Sequence, residues 1–349
     1  MSVPISGAAM SIGNFSSLDH ILVKVSDSDG LVGGGEATVL PEFMGETRGE
    51  IETALNAVAA AVVGADPGDF ALVHSIIDRT APSCRSARAA VDVACHDLAA
   101  RQRSLPAWQL LGRRSRLTVE CTWILGLDGD SAVIEEAARR QEEGFRTFKI
   151  KIGGHDDDRD IERVRQLRSA LGARALIRVD ANGAYEPSRA LRVIDRMMPY
   201  TLEMVEQPCP ASELVAMRRL RRELGVRVVV DESVFSPEDA ERVIEAEAAD
   251  LVNVKIQKLG GIAPARTVAR LASDAGMECV IGSCLEIASG VAASAHLAIT
   301  CAAAAPASDL AAGIQLGRSP RSVAIVDAIG GIGPAVHEPR GPGLGVQPD

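Results

Sequence analysis

From Arg116 onward the chain alternates short apolar runs with amphipathic stretches eight times over, and this alternation restricts the fold more than any other feature. Strands are predicted to end near 122–125, 149–152, 177–180, 204–206, 228–231, 252–255, 279–281 and 308–310. Helical periodicity fills stretches between them at 157–171, 187–198, 212–224, 237–247 and 263–275, with Pro187 and Pro237 at helix starts, where a missing N–H is harmless. Eight alternations joined by short loops read as a closed parallel barrel rather than an open sheet. A chain of 349 residues, 47% hydrophobic, has apolar mass for such a barrel and for a second unit beside it.

The first third has another texture. Residues 17–40 read as a hairpin, with Ile21, Val23 and Val25 on one face, a turn at 27–30 and a return strand that runs through Gly33, Gly34 and Gly35. The flanking segments 9–15 and 39–47 are irregular and apolar at the tip (Met10, Phe15, Phe43, Met44), which suits either connectors or lids over a site. Helical patterns follow at 48–63, 69–78 and 84–102, with a short one at 106–111. Strands first and helices afterwards make an α+β unit.

A net charge of −10 argues against nucleic acid and against an anionic membrane surface, since both reward a basic face. No run of about 18 apolar residues is present, and the start has no basic stretch leading into an apolar one, so a cytoplasmic location is expected. The seven cysteines are scattered with no Cys-x-x-Cys, which fits reduced thiols.

Chemistry concentrates at the strand ends. Lys149 and Lys151 close the second barrel strand, Asp180 the third, Glu206 the fourth, Asp231 the fifth and Lys255 the sixth. Period-two alternation turns both lysines to one side and Phe148, Ile150 and Ile152 to the other. In a barrel these ends meet at one mouth. Three carboxylates there repel one another unless a cation is held between them, and three oxygen donors with open positions suit Mg²⁺; calcium asks for more oxygens, and zinc for His or Cys. The alternative is a neutral salt-bridge network that only holds the mouth together.

Lys149-Ile150-Lys151, Asp180-Ala181-Asn182, Glu206-Gln207-Pro208, Asp231-Glu232-Ser233, Lys255 before Leu259-Gly260-Gly261, and the closing Pro342-Gly343-Leu344-Gly345 together resemble the enolase superfamily, in its muconate lactonizing enzyme subgroup. The resemblance implies an α+β capping domain over a modified (β/α)₇β barrel. It divides the chain into a cap at 1–115, with lid loops near 9–15 and 39–47, a barrel at 116–322, and a segment 323–349 that returns to the cap. It also implies Asp180, Glu206 and Asp231 as Mg²⁺ ligands, with Mn²⁺ as a substitute ion, and Lys151 and Lys255 as an acid/base pair. Lys149 would be an auxiliary cation, and Asn182 and Glu232 would stand behind the ligands. The substrate would be a small carboxylate, and the assembly a homo-oligomer. The mandelate racemase subgroup is disfavoured, because Gly282-Ser283-Cys284 stands where that subgroup carries His.

The implied chemistry is removal of a proton α to a carboxylate, giving an enediolate that a divalent ion neutralises. A lysine base must be unprotonated; Lys149, the ion and desolvation would all lower Lys151 toward neutrality. Amines on both faces favour a racemase or epimerase of an amino-acid derivative. A muconate-type cycloisomerase, a syn-dehydratase and a non-catalytic binding relative are the alternatives. Dipeptide epimerases carry an Asp-x-Asp at the eighth strand, whereas this chain has Asp309-Leu310-Ala311. Cys284, Glu286 and Asp309 are the candidate substrate contacts. Cys284 reads as a pocket-lining spacer, and Glu286 either reaches the mouth or caps the next helix. Lys258 reads as a solvated loop cation and His296 as a packing residue. The first strand expected of the cap is missing or degraded before Met10.

Overall fold

Alternation near the start produces an antiparallel three-stranded sheet of β1 (Ser2–Met10), β2 (Gly13–Ser26) and β3 (Val32–Val39), in that order. This is the computed structural model of the chain, which describes residues 2–10, 13–127, 129–154, 156–287, 289–311 and 333–347. Two expectations are corrected here. The first strand of the cap is present, pairing Ser2 with Asp19 and Met10 with Gly13 across β2. The segment 9–15 is strand on both sides of residues 11 and 12, which lie outside the described residues. The other expected lid is not irregular either: Leu40 leads into one helical turn, α1 (Pro41–Met44), closed by Gly45 in the left-handed conformation.

Helices α2 (Arg48–Val62), α3 (Phe70–Thr80), α4 (Arg85–Gln102) and α5 (Trp108–Leu111) follow. Thr47 and Glu50 form a reciprocal capping box at the start of α2. The alanine-rich α4 is buried along nearly its whole length, because the glycines of β3 let the two backbones approach. A Cβ added to Gly35 would stand 1.9 Å from the Ala90 carbonyl oxygen, and one at Gly33 would stand 2.3 Å from that of Ala94. Gly35→Ala is therefore expected to destabilise the fold by about 3 kcal/mol, read as a lowered urea midpoint at unchanged slope.

The barrel strands are β4 (Thr118–Leu125), β5 (Thr147–Lys151), β6 (Leu176–Asp180), β7 (Leu202–Glu206), β8 (Arg227–Val230), β9 (Leu251–Val254), β10 (Glu278–Ile281) and β11 (Ala307–Ser308). Between them run α6 (Asp130–Glu142), α7 (Asp157–Leu171), α8 (Pro187–Met197), α9 (Leu214–Leu224), α10 (Pro237–Glu245), the single turn α11 (Ile256–Leu259) with α12 (Ile262–Asp274), and α13 (Ser289–Thr300). The strands pair in parallel from β10 through β4 to β11. The ring closes where Ala305 N–H donates to Cys279 O at 2.7 Å and Asp309 N–H to Ile281 O at 2.9 Å. This is the closed parallel barrel that the alternation implied, in the (β/α)₇β form that the resemblance implied. Phe148 and Ile150 join the apolar layer shared with the helices, while Met204, Val229, Leu251, Val280 and Ala305 form a separate cluster.

The tail departs from expectation by taking part in the barrel. Residues 323–332 and 348–349 lie outside the described residues, but β12 (Ala335–His337) pairs antiparallel with β4. The chain then reaches the first helical layer: Gly343 exchanges bonds with Leu105 and Ala107, and Leu344 N–H donates to Asp97 Oδ1 at 2.7 Å.

Asp92 of α4 bridges to the barrel by accepting from Ile262 N–H, at the start of α12, at 2.5 Å. His74 Nε2 stands 2.7 Å from the other Asp92 oxygen and His96 Nδ1 3.3 Å from it. Burial alone would lower His74, yet Asp92 and Asp78 hold it above its ordinary value against the opposing Arg88. A raised histidine contributes stability that is complete below its unfolded value of about 6.5 and lost as pH rises through the folded value. The stability difference between wild type and His74→Gln should accordingly shrink as pH is raised from 5 toward 9, measured by urea titration at each pH.

Candidate active site

Strand register brings the charged ends together. Lys151 lies opposite Asp180 on the next strand, and Asp180 opposite Glu206 on the one after, so neighbouring ends are separated by one interstrand spacing of about 4.8 Å. Asp231 and Lys255 directly follow β8 and β9. The structure thus gathers all six predicted strand-end residues at one mouth, and neither amine of the predicted pair points to solvent.

Each acid is held by an ammonium. Lys151 Nζ donates to Asp180 Oδ2 at 2.5 Å and to Asn182 Oδ1 at 2.8 Å. Asn182 in turn donates to Glu232 Oε1 at 2.9 Å. Lys149 Nζ lies 2.9 Å from Glu206 Oε2, 2.5 Å from Asp309 Oδ2 and 3.8 Å from Asp180 Oδ2. Lys255 Nζ meets Asp231 Oδ2 at 2.6 Å.

Two participants escaped the sequence reading. Lys258, expected in solvent, is fully buried, because α11 turns it back beneath Asp231, where it donates to Oδ1 at 2.7 Å and to the backbone oxygen at 2.6 Å. Its position three residues after Lys255, one helical turn, was the available signal. Asn253 donates to Glu206 Oε1 at 2.8 Å; as an amide two residues before Lys255 it shares the inward face of β9.

The three candidate substrate contacts separate. Asp309 is buried as a counter-ion of Lys149. Glu286 folds back on its own loop to accept from Cys284 N–H at 2.6 Å, and burial raises it to about 7. Cys284 is buried in an apolar cluster with Leu18, Leu40 and Met44, and burial drives its thiol far up, so it is no nucleophile at neutral pH. Phe43 of α1 belongs to the rim of this cluster, its ring centroid 4.5 Å from Lys255 Nζ and 5.5 Å from the ring of Phe235. The short helix from the first sheet layer therefore covers one of the two amines. His296 is the packing residue expected, accepting from Trp108 N–H at 2.9 Å.

Charge at the mouth does not balance. Asp180, Glu206, Asp231, Glu232, Glu286 and Asp309 face Lys149, Lys151, Lys255 and Lys258, which leaves an excess of two negative charges when every group is ionised. Burial, reinforced by Asp180, Asp309 and Asp231, raises Glu206 despite Lys149 beside it. Burial and then Asp231 and Asp180 push Glu232 up to about 8. Burial would lower the ammoniums of Lys149 and Lys255, but Asp309, Glu206 and Asp180 hold the first well above its ordinary range and Asp231 holds the second above it.

Among the described residues no three acid, histidine or cysteine side chains are drawn together tightly enough to enclose an ion, since the lysines occupy their oxygens. The donor set nevertheless fits a hard divalent cation. All three acids offer oxygen, and Glu232 Oε2 and Asp309 Oδ1 are buried without a hydrogen-bond partner.

A closed parallel barrel with paired lysines and three acids at its mouth, under a small antiparallel sheet and its helices, defines a class of isomerases, and comparison with known proteins agrees. Residues 2–112 match the mandelate racemase / muconate lactonizing enzyme N-terminal domain, and residues 132–349 match the enolase C-terminal domain-like family. The chain is 34% identical to muconate cycloisomerase 1 of Rhodococcus opacus, across 80% of this chain and 76% of that protein. It is 30% identical to the N-succinyl-L-Arg/Lys racemase of Bacillus cereus, across 83% and 79%. The dipeptide epimerase from Enterococcus faecalis V583, solved with Mg and the dipeptide L-Leu-L-Tyr, superposes with a TM-score of 0.92 at 29% identity, over 99% of this chain and 97% of that one. The chain belongs to the mandelate racemase / muconate lactonizing enzyme family of the enolase superfamily, in its muconate lactonizing enzyme-like subgroup, and is an isomerase.

Proposed function

We propose that this isomerase is a Mg²⁺-dependent racemase or epimerase of amino-acid derivatives whose α-nitrogen is acylated, and that it abstracts the proton α to the carboxylate. The observation that carries the reading is the pair of lysines, Lys151 on β5 and the buried-side Lys255 after β9, with the three acids on the strands between them. Asp180, Glu206 and Asp231 would hold the ion, which when bound supplies positive charge against the dianion that deprotonation of a carboxylate creates.

In this reading Lys151 and Lys255 address opposite faces of the α-carbon. One, as a free amine, takes the proton, and the other, as an ammonium, returns a proton to the opposite face. Lys149 keeps its charge, held by Asp309 and Glu206, and acts as a fixed cation beside the substrate carboxylate. Asn182 and Glu232 orient Lys151 from behind. Phe43 keeps water from Lys255.

The acylated nitrogen follows from Asp309. Its Oδ2 is engaged by Lys149, and Leu310 and Ala311 after it are apolar, so the eighth strand offers no second acid to pair with a substrate ammonium. The same observation favours one second reading, a muconate-type cycloisomerase, whose substrate has no nitrogen. Proton NMR in D₂O with MgCl₂ separates them. Loss of the α-proton signal from N-acylated amino acids supports racemisation; conversion of a muconate to its lactone, with every N-acylated amino acid left unexchanged, supports the second reading and overturns the first.

A further inference from the structure

Helix α7 lies behind β5, on the side away from the mouth. Its Ile161, Val164 and Leu167 share an apolar layer with Phe148 and Ile150, while Lys149 and Lys151 alternate to the other face. The same helix nevertheless buries an acid and a guanidinium, Asp160 completely and Arg163 at 2% exposure, and their partners are strand ends. Arg163 Nη1 donates to the Lys151 carbonyl at 2.8 Å, Nη2 donates to the carbonyl of Gly126, just past β4, at 2.5 Å, and Nε stands 3.0 Å from Asp130 Oδ1. One turn earlier, Asp160 Oδ2 accepts from Gly153 N–H at 2.8 Å and from the Tyr185 hydroxyl at 2.6 Å. Tyr185, fully buried in the loop after β6 that carries Asn182, donates its own N–H to Pro208 O, just past β7, at 3.2 Å. These bonds tie the exits of β4, β5, β6 and β7 to one helix.

We propose that Asp160, Arg163 and Tyr185 are positioning residues that clasp the end of β5 and so set Lys151 for its proton transfer, an inference that rests on the two-sided racemase reading above. Burying a charged pair is costly, and apolar side chains would pack α7 on β5 equally well. What the polar groups add is direction: a planar fork spans two carbonyls at fixed separation, and one carboxylate oxygen is shared by an amide and a phenol. Lys151 is the last residue of β5. Beyond it Ile152 N–H reaches Asp180 O at 2.9 Å, and Gly153 turns away at a φ of 89°. Without the clasp the strand end can pivot at that glycine, and the Lys151 amine shifts relative to Asn182 and to a bound α-carbon. A displacement of about 1 Å at a reacting group costs about 10²-fold in rate. Lys255 follows β9 instead, its ammonium is held by Asp231, and it makes no hydrogen bond to α7 among the described residues. The clasp therefore supports one of the two proton transfers and not the other.

Exchange of the α-proton for deuterium, followed by NMR on each pure enantiomer of an N-acylated amino acid with MgCl₂, tests this one face at a time. Lys151→Ala marks the enantiomer whose proton Lys151 takes. Tyr185→Phe, which removes one oxygen and keeps the ring, is expected to slow exchange at that enantiomer by about 10-fold, and Arg163→Met by about 10²-fold. The other enantiomer should stay within about twofold of wild type, with KM unchanged for both. A role confined to stability acts through the folded fraction and slows both enantiomers together. Equal slowing of the two therefore overturns the clasp, as does wild-type exchange at both; where one variant fails to fold, the other decides. Wild-type protein that exchanges neither enantiomer overturns the racemase reading itself and this inference with it.

Discussion

Lys151→Ala and Lys255→Ala should each abolish net racemisation, by about 10³-fold or more, while each keeps hydrogen exchange at one enantiomer only. The split follows from the two-sided arrangement. A variant lacking one amine still has a base on the other face, so it removes a proton from the enantiomer presented to that base and can return it only to the same side. Neither substitution should unfold the chain. Without Lys255, Asp231 retains Lys258 on its other oxygen and on its carbonyl. Without Lys151, Asp180 still accepts from Asn182 N–H at 2.9 Å. NMR of each pure enantiomer in D₂O makes the check. Equal exchange of both enantiomers by Lys255→Ala would falsify the assignment of opposite faces.

Removing divalent ions should silence the enzyme and leave it folded. The silencing, again about 10³-fold or more, reflects loss of the charge that offsets the forming dianion. The fold survives because the lysines already occupy the acids: Lys149 on Glu206, Lys151 on Asp180, and Lys255 with Lys258 on Asp231. Titrating MgCl₂ into chelator-treated protein should restore turnover and raise the thermal midpoint, by roughly 4 °C at a hundredfold excess over the dissociation constant. Turnover that persists in chelator, or a midpoint indifferent to MgCl₂, would remove the ion from the proposal.

What the sequence reveals of the site depends on how each residue reaches it. The strand-end lysines and acids are legible because a barrel sends every strand end to one mouth, so position along the strand stands in for position in space. Helix α7 is legible because Asp156 caps its start and Gly172 its end. Lys258 is misread because its burial depends on one turn of helix folding it under a neighbouring strand, which no periodicity expresses. Asn253 is missed because an amide carries no charge to mark it. β1 contains a proline and a glycine and lacks alternation, so only pairing with β2 makes it a strand. β12 has three residues, too few for a pattern.

The docking of Leu344 against α4 bears on the order in which the molecule is finished during synthesis. Within the part of the chain made first, Asp97 accepts from Gly34 N–H on one oxygen and from Arg101 Nε on the other, but that second oxygen also takes the Leu344 amide, and Arg101 reaches on to the Val346 carbonyl. Those partners leave the ribosome after all eight barrel strands. The region translated earliest is thus among the last to reach its final packing, and until then α4 must wait with an exposed flank for the trailing end of the polypeptide to arrive.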